Sequence, residues 1–286
     1  MTTAAPCAVF WVGGGSGAGK TTLVRAAAGL LDLRVYHVDA YGYEHVRRAA
    51  GGSFPRTQAF NAMSYDDRWL RAPEVLAEDF LAVSGERMPL VIDDLGALGP
   101  GATVLAEGPQ LLPDLVAPLL GGPDAALWLL PTETFSRRAV TARAELVPST
   151  REAAAVENRH RRDVLVTAAL RDRADALGLR SVVVDGSRSV GETVDWFVAS
   201  LLQVPGGLAR AETGGQRALM RRHENQVMAT QLTLYREDLE VEVMPEPPVG
   251  PFSCECSTLG CVGEVSLPVD EYLRRRAAGP VVVHEA

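Results

Sequence analysis

The sequence predicts an α/β fold in which a parallel five-stranded sheet lies between two layers of helices, followed by a small cysteine-rich module. Three observations predict it. Through residue 205, short apolar runs alternate with helical stretches, the order that produces parallel sheets covered on both faces. A glycine-rich segment follows the first apolar run, and three cysteines lie close together near the C-terminal end. We therefore predict two units, residues 1–205 and residues 206–286.

Five apolar runs are predicted to be strands, and the first is apolar on both faces, as a covered parallel strand requires. They are residues 8–12, 33–38, 102–106, 126–130 and 180–184. Acidic residues stand at or just past three of these ends, namely Asp39, Glu107 and Asp185. Because such sheets bind ligands at the carboxyl ends of their strands, the three acids are candidate site residues.

The predicted helices follow from helical apolar spacing and from helix-forming composition. They cover residues 21–31, 74–83, 152–177 and 190–202. Residues 90–98 are ambiguous, since Val91-Ile92 favours a strand whereas Leu95 and Leu98 suit a helix. Pro205-Gly206-Gly207 ends the alternating pattern, and the acidic, proline-containing stretch 237–251 is predicted to be a linker.

Composition narrows the class of partner. The net charge of -8 argues against a chain that binds nucleic acid over its whole surface, although a local basic patch is still compatible with it. Residues 1–6 lack the basic and apolar pattern of a signal peptide, and no run of 18 apolar residues occurs. We therefore expect a cytoplasmic protein that does not enter a membrane.

The glycine-rich segment matches the motif G-x-x-x-x-G-K-[ST] at Gly14, Gly19, Lys20 and Thr21, between a predicted strand and a predicted helix. Its backbone N–H groups and the following helix N-terminus can bind phosphate oxygens. Lys20 can reach the β and γ phosphates, and the Thr21 hydroxyl can ligate magnesium. We predict that the chain binds ATP with Mg²⁺. The predicted nucleotide-binding residues are Gly14, Gly15, Ser16, Gly17, Ala18, Gly19, Lys20, Thr21, Thr22 and Glu107.

A second interpretation of the same glycines is a dinucleotide site. Gly13-x-Gly15-x-x-Ala18 matches the pattern G-x-G-x-x-G/A, and Asp39 lies about where the ribose-binding acid of that fold occurs. This interpretation gives Lys20 and Thr21 no role, so the triphosphate interpretation is preferred.

Three further predictions concern phosphoryl transfer. Asp39 follows the second strand and can accept the proton of an incoming hydroxyl, or else cap the next helix. Glu107 at the end of the third strand can order the water shell of magnesium. Among the arginines that follow the fourth strand, Arg143, Arg159 and Arg162 are predicted to belong to a lid that neutralises the transferred phosphate. Arg159 and Arg162 share one helix face.

Together these residues give the chain through 205 a resemblance to the P-loop kinase superfamily, which phosphorylates nucleosides, nucleotides and small metabolites. The layout is similar to the uridine kinase and chloramphenicol phosphotransferase families. The resemblance implies a P-loop NTPase three-layer sandwich, a base or substrate-binding role for Asp39, and adenine recognition near residues 185–188.

The sequence also departs from those families. Glu107 stands where uridine kinases usually have Asp, and the substrate loops match neither family. Asp66-Asp67-Arg68-Trp69 is predicted to lie in a substrate-facing insert, where it either holds a polar substrate or simply begins a helix.

The C-terminal module contains Cys254, Cys256 and Cys261 within eight residues. Zinc needs four ligands, and His284 is the predicted fourth, with His223 as a second choice. Reduced cysteines packed as small hydrophobes, or a redox pair, are the alternatives. The segment from Phe252 to Tyr272 also resembles a small cysteine module of uncharacterised actinobacterial proteins, which implies no activity.

Two functions follow from these features. The first is a phosphotransferase that moves the γ-phosphate of ATP to a hydroxyl of a small molecule, such as a nucleoside, sugar or antibiotic-like compound. The alternative is a nucleotide-dependent regulatory ATPase whose C-terminal module binds a partner or nucleic acid. The position of Asp39 and the arginine-rich stretch favour the kinase.

Overall fold

The computed structural model describes residues 8–50, 54–142, 147, 149–243 and 246–284. Five strands form a parallel sheet, and two further strands form an antiparallel pair nearer the C-terminal end. In chain order they are β1 (Val9–Gly14), β2 (Arg34–His37), β3 (Val104–Glu107), β4 (Ala126–Pro131), β5 (Ser181–Val184), β6 (Val249–Ser253) and β7 (Glu264–Pro268). The large sheet has the order β2-β3-β1-β4-β5, which places the glycine-rich loop after its central strand.

Helices connect and cover these strands. They are α1 (Lys20–Leu31), α2 (Gly42–Ala49), α3 (Pro55–Asn61), α4 (Tyr65–Trp69), α5 (Pro73–Ala97), α6 (Pro113–Val116), α7 (Glu133–Ala142), α8 (Glu152–Ala176), α9 (Val190–Leu202), α10 (Gly214–Val243) and α11 (Val269–Ala278). The ambiguous stretch 90–98 is therefore helical almost throughout. In the described part of the chain, no helix combines the length and apolar content needed to cross a bilayer.

Side chains of the large sheet alternate between two buried clusters, as the period of a strand requires. On β4, Trp128 and Leu130 join the cluster formed with α5 and α8, whereas Leu127 and Leu129 join the cluster formed with α1 and α9. The sheet is thus the middle layer of three. This arrangement confirms the predicted α/β three-layer sandwich with five parallel strands.

The C-terminal strands share a small core with α10 and α11. The rings of Phe252 and Tyr272 stack at a centroid distance of 4.0 Å, and both side chains are fully buried. The linker predicted for residues 237–251 is mostly regular structure instead, because α10 continues to Val243 and β6 begins at Val249. This end of α10 contacts α2, for example through the ion pair between Arg47 and Glu237.

Helix α10 also covers the outer edge of the large sheet. Glu224 Oε1 accepts a hydrogen bond of 2.9 Å from the backbone N–H of Val35 on β2, and Arg221 donates to the carbonyl of Leu33. Because β2 is the last strand on that side, its free backbone groups would otherwise face solvent. Residues after 205 therefore complete the edge next to the candidate site.

Candidate functional site

The phosphate loop, residues 14–21, turns between β1 and α1. Gly14, Gly17 and Gly19 have φ values of 129°, 77° and 79°, a region that residues with a Cβ atom avoid. Gly19 is the N-cap of α1, so the first turn of that helix directs its unpaired N–H groups toward the loop. The sequence therefore folds here into a cradle of backbone donors suited to an anion.

The floor of this cradle is tightly packed. A Cβ atom on Gly15 would lie 2.3 Å from Thr167 Oγ1, and one on Gly13 would lie 2.2 Å from Trp128 Nε1. Above the loop, Ser136 of α7 donates a hydrogen bond of 2.9 Å to the carbonyl of Ser16. Contacts from β4, α7 and α8 thus hold the loop in one conformation.

Lys20 and Thr21 are the first two residues of α1, and their side chains have different surroundings. Lys20 is buried, and its Nζ donates a hydrogen bond of 2.9 Å to the carbonyl of Gly15 across the loop. The hydroxyls of Thr21 and Thr22 lie on exposed residues of the first helical turn. A phosphate bound in the cradle would therefore meet the ammonium group and a threonine hydroxyl together.

Glu107 is the buried acid of the site. Its Oε1 accepts hydrogen bonds from Thr21 Oγ1 at 2.9 Å and lies 2.7 Å from His37 Nδ1. Burial raises the pKa of Glu107, but the bonds from His37 and Thr21 and the charge of Lys20 outweigh it, and the pKa is lowered. Glu107 therefore stays ionised beside the hydroxyl that is suited to a magnesium ligand.

His37 was not predicted as a site residue. It pairs in register with Glu107 across β2 and β3, which is how its ring reaches that carboxylate. A correct sequence-based alignment of the two strands would have found it, since both residues are the last of their strands.

Asp39 lies two residues beyond His37, in a short 3₁₀ helix over Val38–Tyr41. Its carboxylate is exposed, and Oδ1 accepts a hydrogen bond of 2.6 Å from Gln110 Nε2. Gln110 follows the end of β3, and no sequence motif points to it. The ends of β2 and β3 are thus followed by an accessible carboxylate, Asp39, which an amide orients, while the carboxylate of Glu107 at the end of β3 is buried.

A partly buried ionic network surrounds Asp94 of α5 and reaches toward Asp39. Asp94 of α5 accepts hydrogen bonds from Tyr36 Oη at 2.7 Å, from His45 Nε2 at 2.6 Å and from Arg48. Burial raises the pKa of Asp94, but these three donors reverse the effect and lower it. Arg87 donates to His45 Nδ1 at 3.1 Å, so His45 is a neutral ring that donates from Nε2.

Arg87 links this network to Asp39. Burial lowers the pKa of the Arg87 guanidinium, and the charge of Asp39 opposes that effect. The network therefore sets a fixed positive charge close to the exposed carboxylate.

The predicted lid arginines have different surroundings. Arg162 binds Asp163 through Nε at 2.9 Å and lies over the rings of Trp69 and Phe80. Arg159 is half-buried on the same helix, α8. Arg143 lies outside the described residues. The structure thus places Arg162 between α8 and the helical insert that precedes β3.

The acidic segment at residues 66–69 lies in α4, and Asp66 and Asp67 belong to the first turn of that helix. Ser64 is the N-cap of α4, and its side chain accepts a hydrogen bond from the backbone N–H of Asp67. Asp67 thus has the helix-start role that was the alternative to binding a substrate. Asp66 instead accepts hydrogen bonds from Ser149 Oγ at 2.5 Å and from the N–H of Thr150 at 2.9 Å. An open groove of about 770 Å³ lies beside them. Its lining includes Met63, Asp66, Asp67, Arg71 and Arg151.

The turn expected to recognise adenine, residues 185–188, lies against α7. Asp185 accepts from the N–H of Ser187 at 2.8 Å, and a Cβ atom on Gly186 would lie 3.0 Å from the ring of Phe135. Because α7 also contacts the phosphate loop through Ser136, one helix spans the distance from the phosphate cradle to this turn.

A second candidate site lies in the C-terminal module. Cys254, Cys256, Cys261 and His284 each present one ligand atom, and these four atoms lie within 4.8 Å of one another. His284 Nε2 is 3.3 Å from Cys256 Sγ and 3.2 Å from Cys261 Sγ. The second choice for a ligand, His223, instead has its Nε2 3.4 Å from Tyr41 Oη. The four grouped side chains could hold a metal ion.

Comparison with known proteins adds little to this geometry. No protein-family model and no curated protein matches the chain. Among solved structures, a gluconokinase from Sinorhizobium meliloti 1021 matches 71% of this chain and 95% of its own, with 16% identity and a TM-score of 0.33. That likeness carries no argument about substrate. The structure of this chain itself defines its fold as a parallel sheet of order β2-β3-β1-β4-β5, with the glycine-rich loop between the central strand and α1.

Proposed function

We propose that this chain is an ATP-dependent phosphotransferase that moves the γ-phosphate to a hydroxyl of a small molecule. The observation that carries the proposal is the pair of carboxylates at neighbouring strand ends. Glu107 is buried, ionised and bonded to Thr21, whereas Asp39 is exposed and held by Gln110. Such a division suits one acid for the metal and one for the acceptor.

The phosphate loop would bind the triphosphate. Its N–H groups and the positive end of the α1 dipole would meet the β and γ phosphate oxygens. The Lys20 ammonium would exchange its bond to the Gly15 carbonyl for a phosphate oxygen. Magnesium would be held by the Thr21 hydroxyl, with Glu107 ordering its water shell, and would neutralise charge on the phosphates. His37 fixes Glu107 in the orientation this role needs.

Asp39 would act as the base. As the acceptor oxygen bonds to the γ-phosphorus, its proton passes to the Asp39 carboxylate, and the bond from the γ-phosphorus to the bridging oxygen breaks, leaving ADP. Gln110 orients the carboxylate, and the Arg87 guanidinium lies close enough to interact with its charge. Arg143, Arg159 and Arg162 would stabilise charge on the transferred group when the lid closes.

The acceptor class is a polyhydroxylated or otherwise polar small molecule. The groove beside α4 carries both carboxylates, at Asp66 and Asp67, and guanidinium groups, at Arg71 and Arg151. Such a lining offers hydrogen-bond acceptors and donors to hydroxyl groups.

The test is ADP release from ATP and Mg²⁺ across a panel of nucleosides, sugars and hydroxyl-bearing antibiotics. We expect one class to stimulate release strongly and to yield a phosphorylated product of matching mass. The Lys20→Ala protein, prepared in parallel, reports any contaminating kinase. A slow rate that no compound changes would instead favour the regulatory ATPase, and partners of residues 206–286 would then be sought.

A further inference from the structure

We propose that Cys254, Cys256, Cys261 and His284 form a zinc site, and that bound zinc fastens the C-terminal segment to the outer face of the phosphate-loop helix α1. This inference is independent of the proposed transferase activity, because it concerns a different set of residues and a different ligand.

The donor set matches zinc in chemistry and in size. Three sulfurs and one imidazole nitrogen are soft and borderline ligands, which zinc binds as a closed tetrahedron in structural sites. Bond lengths of about 2.3 Å to sulfur and about 2.0 Å to nitrogen separate the ligand atoms of a tetrahedron by roughly 3.5 Å. The distances of 3.3 Å and 3.2 Å from His284 Nε2 to Cys256 and Cys261 are close to that separation.

The backbone around the cluster is arranged to support thiolates. The N–H of Val283 donates to Cys254 Sγ at 3.3 Å, and the N–H of Gly263 donates to Cys261 Sγ at 3.4 Å. Such outer donors orient metal ligands and stabilise their negative charge.

Gly263 shows how closely the ligands converge. A Cβ atom there would lie 3.1 Å from Cys254 Cβ, 3.4 Å from Cys261 Sγ and 3.5 Å from His284 Cδ2. Three of the four ligands thus surround one glycine, although the sequence separates the outermost two by 30 positions, since they are residues 254 and 284.

The ligand loop is docked on α1. A Cβ atom on Gly29 would lie 2.7 Å from the Cys261 carbonyl oxygen, so the loop rests directly on the helix backbone. One turn away on either side, the N–H of Gly260 donates to Asp32 Oδ1 at 3.2 Å, and Arg25 Nε lies 2.8 Å from Glu264. Arg25 and Gly29 are four residues apart on one face of α1, and Asp32 caps the C-terminal end of the helix; these three positions are the outer stripe of α1.

Arg25 strengthens this docking at a second strand. Its Nη1 donates to the carbonyl of Pro251 at 3.2 Å, and its Nη2 donates to Ser253 Oγ at 2.9 Å. The guanidinium thus bridges β6 and β7 to the helix whose first residue is Lys20.

The module has few apolar residues with which to hold this arrangement. Among the described residues of the module, its buried cluster contains Ala229, Phe252, Leu267, Val269, Tyr272 and Val281. Small units with limited cores are commonly completed by a metal. By binding His284 together with the cysteines of the loop on α1, zinc would link two parts of the module that are distant in sequence.

The experiment measures zinc in the full-length protein purified under reducing conditions, with elemental analysis and thiol titration. We expect about one zinc per chain, as four protein ligands define a single closed site. Cys256→Ser and His284→Ala should each lower bound zinc at least about tenfold, whereas Cys7→Ser, the matched change at the fourth cysteine, should leave it unchanged. After removal of zinc, Co²⁺ should give the absorption of a tetrahedral thiolate complex.

The fastening is tested on the wild-type chain by hydrogen exchange with and without a chelator. Removal of zinc should speed exchange in residues 249–284 and in the outer stripe of α1, and added zinc should reverse it. A metal-free protein that takes up neither Zn²⁺ nor Co²⁺, or cysteines found in a disulfide, would overturn the site. Bound zinc with unchanged exchange in α1 would overturn the fastening. Because no readout depends on turnover, failure of the transferase proposal would leave these results intact.

Discussion

The phosphate loop and the cysteine cluster both depend on α1, but they are built in opposite ways. The phosphate loop is a continuous segment at the N-terminal end of the helix, and backbone N–H groups supply its chemistry. The cysteine cluster lies against the outer face of the same helix, and side chains from separate segments supply its ligands. A local backbone site is set by glycine conformations, whereas a side-chain site depends on the whole module being folded.

The largest expected effect is on activity, and it should be confined to the phosphate loop and leave the cysteine cluster unchanged. Lys20→Ala removes the buried ammonium group that bridges the loop, and we expect loss of measurable turnover. Loss of one preorganised charge donor alone costs roughly 100- to 1,000-fold, and triphosphate binding weakens as well. Steady-state ADP release and ATP titration measure both. Zinc content should be unaffected, and full retained activity would remove the phosphate-loop mechanism.

Asp39→Asn should come next. General-base assistance is worth roughly 100- to 10,000-fold, so acceptor phosphorylation should fall within that range while ATP affinity is kept. Asp175→Asn, at an exposed aspartate on α8, is the matched control and should transfer phosphate at the wild-type rate. An unchanged rate for Asp39→Asn would reduce Asp39 to a capping or structural residue.

A pH-dependent effect on stability is expected in the ionic network around Asp94. Asp94→Asn weakens the network with Tyr36, His45 and Arg48, and leaving buried partners unsatisfied costs about 1–3 kcal/mol at pH 7. Because the folded pKa of Asp94 is lowered, its contribution is full above the ordinary pKa of about 4 and is lost as pH falls through the folded value.

Urea unfolding of both proteins at several pH values measures this difference. The gap between wild type and Asp94→Asn should be widest near neutral pH and should narrow in acid. A gap that is constant with pH would show that the carboxylate charge contributes nothing to stability.

The smallest expected effect weakens the docking of the cysteine loop without replacing any of the four proposed zinc ligands. Gly29→Ala gains helix preference worth about 1 kcal/mol, but its methyl group would meet the Cys261 carbonyl, and overpacking costs roughly 1–3 kcal/mol. We expect a net loss of about 1 kcal/mol in the free energy of unfolding.

Gly85→Ala is the control for Gly29→Ala. Gly85 is also inside a helix, α5, but a Cβ atom there meets nothing within 4 Å, so this change should raise stability. Equal effects of the two substitutions would contradict close docking of the cysteine loop on α1.

The large sheet was predictable from sequence because its signals are local. The five apolar runs coincide with β1 to β5 within about two residues, and the glycine motif places the loop and the start of α1. Residues 90–98 could not be assigned because β-branched residues such as Val91 suit strands on a short window, while the full 25-residue helix is supported by packing on α8.

The site was predictable only in part, for a physical reason. Lys20, Thr21 and Asp39 follow from short motifs and strand ends. His37 reaches Glu107 through the register between β2 and β3, and Gln110 reaches Asp39 from the loop after β3, so both roles depend on how two separate strands pair. The linker prediction for residues 237–251 was wrong because contacts such as Tyr235 with Tyr43 extend α10 beyond what composition suggests.

The bond between Glu224 and Val35 has a practical consequence for anyone shortening this chain. Ending the polypeptide at residue 205 would delete α10 and leave β2 with open backbone groups along its outer side. An open strand edge is a template for pairing with a second copy, so such a fragment should self-associate and precipitate during expression. A useful truncation would therefore keep the chain through α10, so that Glu224 and Arg221 continue to cover this edge.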